Sequence, residues 1–325
     1  MKPISSSSSA LVLVLALSAC ASAPRDSDFS FGLIGDLGYT PAQQPLVDNV
    51  FAELNAARLA FVVHDGDLGS PRNGSCTNEL WARRLAQFQA SAHPLIYTPG
   101  DNEWTDCHAA EGAPGFDPLE RLASLRATFF NTGQSLGQRP IALIRQRSYP
   151  ENARWEMGGI TFITLHVVGS NNNRGRTAEG DAEYAARNDA DLAWLREGFA
   201  AARASRALMI IQQANIFPAF PPLPGGLGKE PSGFSELRAA LEAEVRSYGR
   251  PVVLVHGDSH YFRVDKPLGL RPARGGAGTP SLANFTRVET FGAPSHHWVE
   301  VQVRADDPNV FTFRPRIVER NVADR

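Results

Sequence analysis

Asp36, Asp67, Asp101, Asp258 and His260 all follow short hydrophobic runs, in the segments Gly35-Asp36-Leu37-Gly38, Gly66-Asp67, Gly100-Asp101-Asn102-Glu103 and Gly257-Asp258-Ser259-His260. Gln212-Gln213 closes a further run with amide oxygens. Donors so far apart in the chain, each placed at a strand end, are what a fold brings together to hold a metal ion or a phosphate. Taken singly, Asp36 and Asp67 would serve as well to cap the helices that follow them. Taken together, the acidic groups would repel one another unless a cation binds or their pKa values rise.

Neighbouring residues have simpler readings. Strand alternation lets only one of Gln212 and Gln213 face such a site. Asn171-Asn172-Asn173 reads equally as a polar loop by composition and as a segment with a role at the site. Tyr39, Trp104 and Tyr261 adjoin the site segments and could line a substrate cleft, with aromatic packing the simpler expectation, and His256 is expected to point away from His260 or lie beneath it.

The elements that must position these residues alternate between strand and helix. Phe29 to Ile34 predicts a strand, Leu46, Val50, Phe51 and Leu54 a helix face, and Leu59 to Val63 the next strand. A helix carrying Trp81, Leu85 and Phe88 then precedes a strand at Pro94 to Tyr97. A helix over Leu119 to Phe130 leads to an antiparallel stretch, Ala142 to Arg147 with Trp155 to Val168. Asp181 to Ser205 and Pro231 to Tyr248 read as helices before and after the strand Ala207 to Ile211, and Val252 to Val255 as another strand. Pro218 through Gly228 reads as a rim or lid loop. Val299, Val301 and Val303 alternate with polar neighbours, as Phe311 and Phe313 do, giving a closing strand pair. Charges on loops that follow strands are where α/β enzymes assemble their sites.

At the amino terminus, Lys2 and the apolar run Ala10 to Leu17 precede Leu17-Ser18-Ala19-Cys20, which has the form of a bacterial lipobox. The expected organisation is a signal over 1–20 with acylation at Cys20, a tether over 21–28 and one domain over 29–318, with an ordinary secretory signal as the alternative. The expected location is the bacterial cell envelope, facing the periplasm, with membrane contact only through the lipid anchor. Cys76 and Cys107 form an even pair in an exported chain, which predicts a disulfide between the loops after Asp67 and Asp101; two separate thiols are the alternative. A formal charge of -2 over 325 residues supplies no basic domain for a nucleic-acid partner.

The order Gly35-Asp36, Gly66-Asp67, Pro99-Gly100-Asp101-Asn102-Glu103, a strand ending near Gln213, and Gly257-Asp258-Ser259-His260 resembles the calcineurin-like metallophosphoesterase family over Phe31 to about His260. The resemblance implies an α/β fold, a two-sheet sandwich flanked by helices, with a metal centre of one or two ions at the strand ends. It implies Asp36 and His260 as ligands, Asp67 as the bridging carboxylate, and Asp101, Gln213 and Asp258 at the remaining ligand positions. Gly38, Asp101, Gln213 (or Gln212) and Asp258 stand where the family carries His, Asn, His and His. That exchange of nitrogen for oxygen donors favours Mg²⁺, Mn²⁺ or Ca²⁺ over Zn²⁺.

Asn102 stands at the place of the family's catalytic histidine and cannot transfer a proton at neutral pH. His108 is the first candidate to supply that proton, with Glu103 and His64 as alternatives. The expected function is hydrolysis of a phosphate mono- or diester by metal-activated water. The alternative is an inactive phosphoesterase-like envelope lipoprotein that binds a phosphate-containing ligand or a protein.

Overall fold

The computed structural model describes residues 28–109, 115–217, 232–269 and 279–322. The expected signal, Cys20, most of the expected tether and the proline-rich stretch lie outside the described residues. Among those described, no helix is long and apolar enough to cross a membrane.

Among the described residues, twelve strands form two mixed sheets. The first has the order β12-β11-β1-β2-β3, from Phe311–Arg316, Trp298–Val303, Phe29–Ile34, Val62–His64 and Leu95–Tyr97. The second runs β4-β5-β6-β7-β8-β10-β9, from Ile144–Gln146, Tyr149–Met157, Ile160–Thr164, Ala207–Ile211, Val252–His256, Phe285–Glu289 and Arg263–Asp265. Alternation along each strand divides the apolar residues between two faces. Phe31 and Leu33 of β1 and Val299, Val301 and Val303 of β11 point inward against Trp155, Phe162, Met209 and Val255 of the second sheet. Each such large side chain, fully withdrawn from water, contributes on the order of 1.5–3 kcal/mol.

The outer faces carry helices. Ile34, Val62 and Tyr97 meet Val50, Phe51, Trp81, Phe88 and Leu125 from the helices Gln44–Ala56, Asn78–Gln89 and Pro118–Phe129. Ile163, Leu208, Ile210 and Leu254 meet Leu195, Phe199, Leu241 and Val245 from the helices Ala178–Ala201 and Ser235–Tyr248. The result is the expected two-sheet sandwich flanked by helices. Side-chain caps start several of these helices: Thr77 accepts from the Leu80 N–H, Asp117 from Leu119 and Thr177 from Gly180.

Register fixes where the site must be. Ile34 pairs with His64 and His64 with Tyr97, while Thr164 pairs with Ile211, Ile211 with Val255 and His256 with Glu289. The parallel strands therefore end level, and the loops after β1, β2, β3, β6, β7, β8 and β10 share one end of the sandwich.

Two expectations change, and two strands are added. The strand expected over Leu59 to Val63 is β2 at Val62–His64, because Leu59 and Phe61 are buried from the turn leading into it. The stretch Trp155 to Val168 is divided by Gly158-Gly159, both at positive φ, into antiparallel β5 and β6. Strands β9 and β10 went unread, although β10 lies between β8 and β9.

Candidate cation site at the strand ends

Asp36, Asp67, Asp258 and His260 all have left-handed backbones, at φ 51, 58, 72 and 60°. Non-glycine residues avoid this region, so a cluster of them marks a site the surroundings must hold in place. The holding bonds are visible. The Asp258 N–H donates to both carboxylate oxygens of Asp36, at 3.2 and 3.1 Å, and the Asp36 N–H donates to Gly66 O. Ala293 N–H donates to Asp36 O, and His260 Nδ1 lies 2.7 Å from Ala293 O, so Nδ1 carries the proton and Nε2 is turned to the site.

Asp36, Asp67 and His260 each offer a ligand atom, and these atoms lie within 4.8 Å of one another. Tyr39 is inserted among them. Its hydroxyl lies 2.5 Å from Asp67 Oδ2, 3.2 Å from Asp36 Oδ1 and 3.0 Å from His260 Nε2, with the two rings edge to face. The expectation that Tyr39 serves as aromatic packing misses this role. Nothing in residue type signalled it; the turn through Gly38 brings it round, with Gly38 N–H donating to His296 Nε2 at 3.2 Å.

Asp101 and Asp258 converge beside this triad. A Cβ on Gly169 would collide with Asp101 Oδ2 and crowd Asp258 Oδ1, so only glycine fits between the two carboxylates and the loop after β6. That loop is not a plain polar loop. Ser170, Asn171, Asn172 and Asn173 are all left-handed, at φ 49, 56, 57 and 67°. Fully buried Arg187 holds the turn, donating to Asn172 O at 3.0 Å and Asn172 Oδ1 at 2.6 Å while pairing with Glu183 at 2.7 Å.

Electrostatics follow from burial. Desolvation, added to by neighbouring carboxylates, raises Asp65, Asp67 and Asp101 well above the ordinary range. Desolvation lifts Asp258 to about 6 and Glu103 to about 7. His260 is raised, its hydrogen bond and charge attraction to Asp36 outweighing burial. Behind the triad, Asp65 Oδ2 accepts from Thr290 at 2.9 Å while its buried Oδ1 has no partner. Concentrated, desolvated carboxylates with an unpaired oxygen among them suit a hard cation. The donor set is two carboxylates and one imidazole, with more carboxylates adjacent, and it fits such an ion at Asp36, Asp67 and His260.

The other expected residues take distinct places. Gln213 faces the site and Gln212 turns away, as alternation allows, but Gln213 is already engaged: its Nε2 donates to Asp101 Oδ1 at 3.2 Å and its Oε1 accepts from Gly169 N–H at 2.7 Å. Asn102 sits on Asp67, its Nδ2 2.8 Å from Oδ2. Glu103 is a buried clip that accepts from the Leu68 and Gly100 N–H groups, which corrects its reading as an alternative proton donor. His64 is buried between Phe88 and Tyr97, and burial holds it neutral at about 3, which corrects it likewise. His108 is exposed, bonded to Thr105 O and facing Arg176; its hydrogen bonds among the described residues do not reach the carboxylates. Cys76 and Cys107 form the expected disulfide. Trp104 is buried core, His256 is buried with Nδ1 on Gly257 O, and Tyr261 is 69% exposed at the rim.

No family model and no curated protein matches the chain. Among solved structures it is similar to GAP50, the anchor in the inner membrane complex of Plasmodium, with a TM-score of 0.48 and 10% identity, covering 90% of this chain and 89% of that one. It is also similar to vacuolar protein sorting 29 of Cryptosporidium parvum (TM-score 0.30, 11% identity, 89% and 96% covered) and to Vps29 of Entamoeba histolytica (0.30, 9%, 88% and 97%). What the site can do is set by its own residues.

Proposed function

We propose that this is a metallophosphoesterase-shaped binding protein that captures a phosphate-bearing ligand at a divalent-cation site without hydrolysing it. The observation that supports this most is Asn102, whose amide caps Asp67 at 2.8 Å in the place where a proton donor would be needed. An amide cannot protonate a leaving oxygen. The groups offered in its stead are engaged elsewhere: Glu103 closes a loop, His64 is buried behind the sheet, and His108 turns to Thr105 and Arg176.

Asp36, Asp67 and His260 would hold the cation, with Asp101 and Asp258 adding negative charge beside it. A bound divalent ion supplies the positive charge that lets a phosphate approach and accepts its oxygens as ligands. Without it the clustered carboxylates repel the same anion, so phosphate binding and cation binding should be linked. Calorimetric titration of inorganic phosphate into the protein tests this: binding is expected with Mg²⁺, Mn²⁺ or Ca²⁺ present and not in chelator. Equal binding in chelator would contradict it.

Hydrolysis by a reworked centre is the second reading, and the gathering of Asp36, Asp67 and His260 within 4.8 Å is what favours it. As part of the proposal the domain is tethered in the bacterial envelope through acylated Cys20, supported by the sequence Leu17-Ser18-Ala19-Cys20. The mass of the mature chain tests this, with acyl mass expected on Cys20 and lost in C20A.

A further inference from the structure

Tyr39 is the residue at the site whose role nothing above explains. Its hydroxyl is within hydrogen-bond distance of the same three side chains, Asp36, Asp67 and His260, that could hold a cation. The atoms it contacts, Asp36 Oδ1, Asp67 Oδ2 and His260 Nε2, are each suited to be a metal ligand. A phenol has one proton to give. The short contact to Asp67 Oδ2 takes it, so the phenol oxygen can bond His260 Nε2 only by accepting from it, with the imidazole protonated on both nitrogens beside Asp36.

Tyr39 is half-buried, on the irregular segment between β1 and the short turn at Pro41–Gln43, and belongs to neither hydrophobic layer, so displacing its ring would open neither. The backbone on both sides stays pinned, by Gly38 N–H on His296 Nε2 and by Thr40 N–H on Gln43 Oε1 at 3.2 Å. Displacing the phenol would then call for side-chain rotation rather than movement of the backbone.

We infer that Tyr39 sets the affinity of the site by competing, through its hydroxyl, with a divalent cation for Asp36, Asp67 and His260. The inference rests on the cation-site reading above. With the phenol in, one lone pair of Asp67 Oδ2 is taken by a neutral donor; with it out, that lone pair is open to an ion while Asn102 still orients the carboxylate. Such an internal competitor weakens binding by the free energy of the contacts that must be broken, without altering the ligand set.

The test is Mn²⁺ binding, followed by electron paramagnetic resonance of free ion, to wild type, Y39F and D67N at one pH. Y39F keeps the ring and removes only the hydroxyl, and it should bind Mn²⁺ about tenfold tighter than wild type, the order expected for one charge-assisted hydrogen bond. Wild-type binding that is unchanged or weakened in Y39F would overturn the inference, since the phenol would then be a bystander or a ligand. Absence of binding in wild type and Y39F alike would overturn the cation-site reading and the competition with it. A second measurement avoids reliance on the variant's folding: saturating Mg²⁺ should shift the ¹³Cζ resonance of Tyr39 in the wild-type protein. A Tyr39 resonance that stays fixed while Mg²⁺ binds would refute displacement.

Discussion

Asn102 covers both oxygens of Asp67: its backbone N–H donates to Oδ1 at 3.2 Å and its side-chain Nδ2 to Oδ2 at 2.8 Å. One residue thus fixes the orientation of this carboxylate, through an amide that has no proton to transfer at neutral pH. The same Oδ2 accepts from Tyr39, so Asp67 is held ready but fully occupied by neutral donors. A site arranged like this is preorganised for a cation, and in the proposed reading it binds without hydrolysing.

Stability should depend on pH and on cations in a linked way. Burial holds Asp65, Asp67 and Asp101 well above the ordinary range and Glu103 at about 7. The unfolded chain ionises these groups near pH 4, so their folded-state protons stabilise at low pH and that stability is lost as pH rises through the folded values. His64 and His256, lowered by burial to about 3, act in the opposite sense only below about 6.5, where unfolded histidine gains its proton. Between pH 6.5 and 8 the acids decide. In chelator the melting temperature should fall across that window, and Mg²⁺ or Mn²⁺ should raise it more at pH 8 than at 6.5. A rise with pH in chelator would contradict the account.

Gly169→Ala inserts a methyl where Asp101 and Asp258 converge. Overpacking at such a point costs about 1–3 kcal/mol. Denaturant unfolding should show that loss, and cation titration should show weakened binding, because both carboxylates must move. Wild-type affinity in G169A would place these two groups outside the site.

Arg187→Met removes the guanidinium that holds the left-handed turn through Asn172 and leaves Glu183 without its partner. Breaking a buried pair in this way costs about 3–5 kcal/mol. Hydrogen exchange should quicken at residues 169–173 before it does elsewhere. Arg187→Lys should rescue little, since an ammonium cannot reproduce the fork that reaches Asn172 and Glu183 together.

The Cys76–Cys107 disulfide, closing a separation of 31 residues, ties the loop after Asp67 to the loop carrying Asp101 and Asn102. Replacing both cysteines by serine should lower stability by about 2–4 kcal/mol. Chemical denaturation of the double variant checks this, and an unchanged midpoint would show the loops to be held by other contacts.

The layers of the fold were legible because period-two runs such as Phe29–Ile34 and Trp298–Val303 and the helical spacing of Val50, Phe51 and Leu54 record burial directly. Strand β10 was missed because Phe285–Glu289, FTRVE, mixes buried polar and apolar residues: Arg287 and Glu289 are themselves buried, paired with Asp265 and Arg263. Asp36, Asp67 and His260 could be singled out because several carboxylates and an imidazole follow strands in one chain, which capping of single helices does not explain. Tyr39 could not, since an aromatic beside a turn ordinarily packs, and only the course of the chain through Gly38 turns its hydroxyl to the triad. His108 lies three residues from Thr105, whose carbonyl captures its Nδ1, a local bond that residue type does not announce.

The most direct measurement is phosphate-ester hydrolysis by the mature soluble protein at saturating Mg²⁺, Mn²⁺ or Ca²⁺, with mono- and diester substrates and D67N in parallel. The account predicts no turnover above the D67N background under conditions where inorganic phosphate binds the wild type. Cation-dependent turnover in the wild type that disappears in D67N would contradict it and establish Asp67 as part of a working catalytic centre.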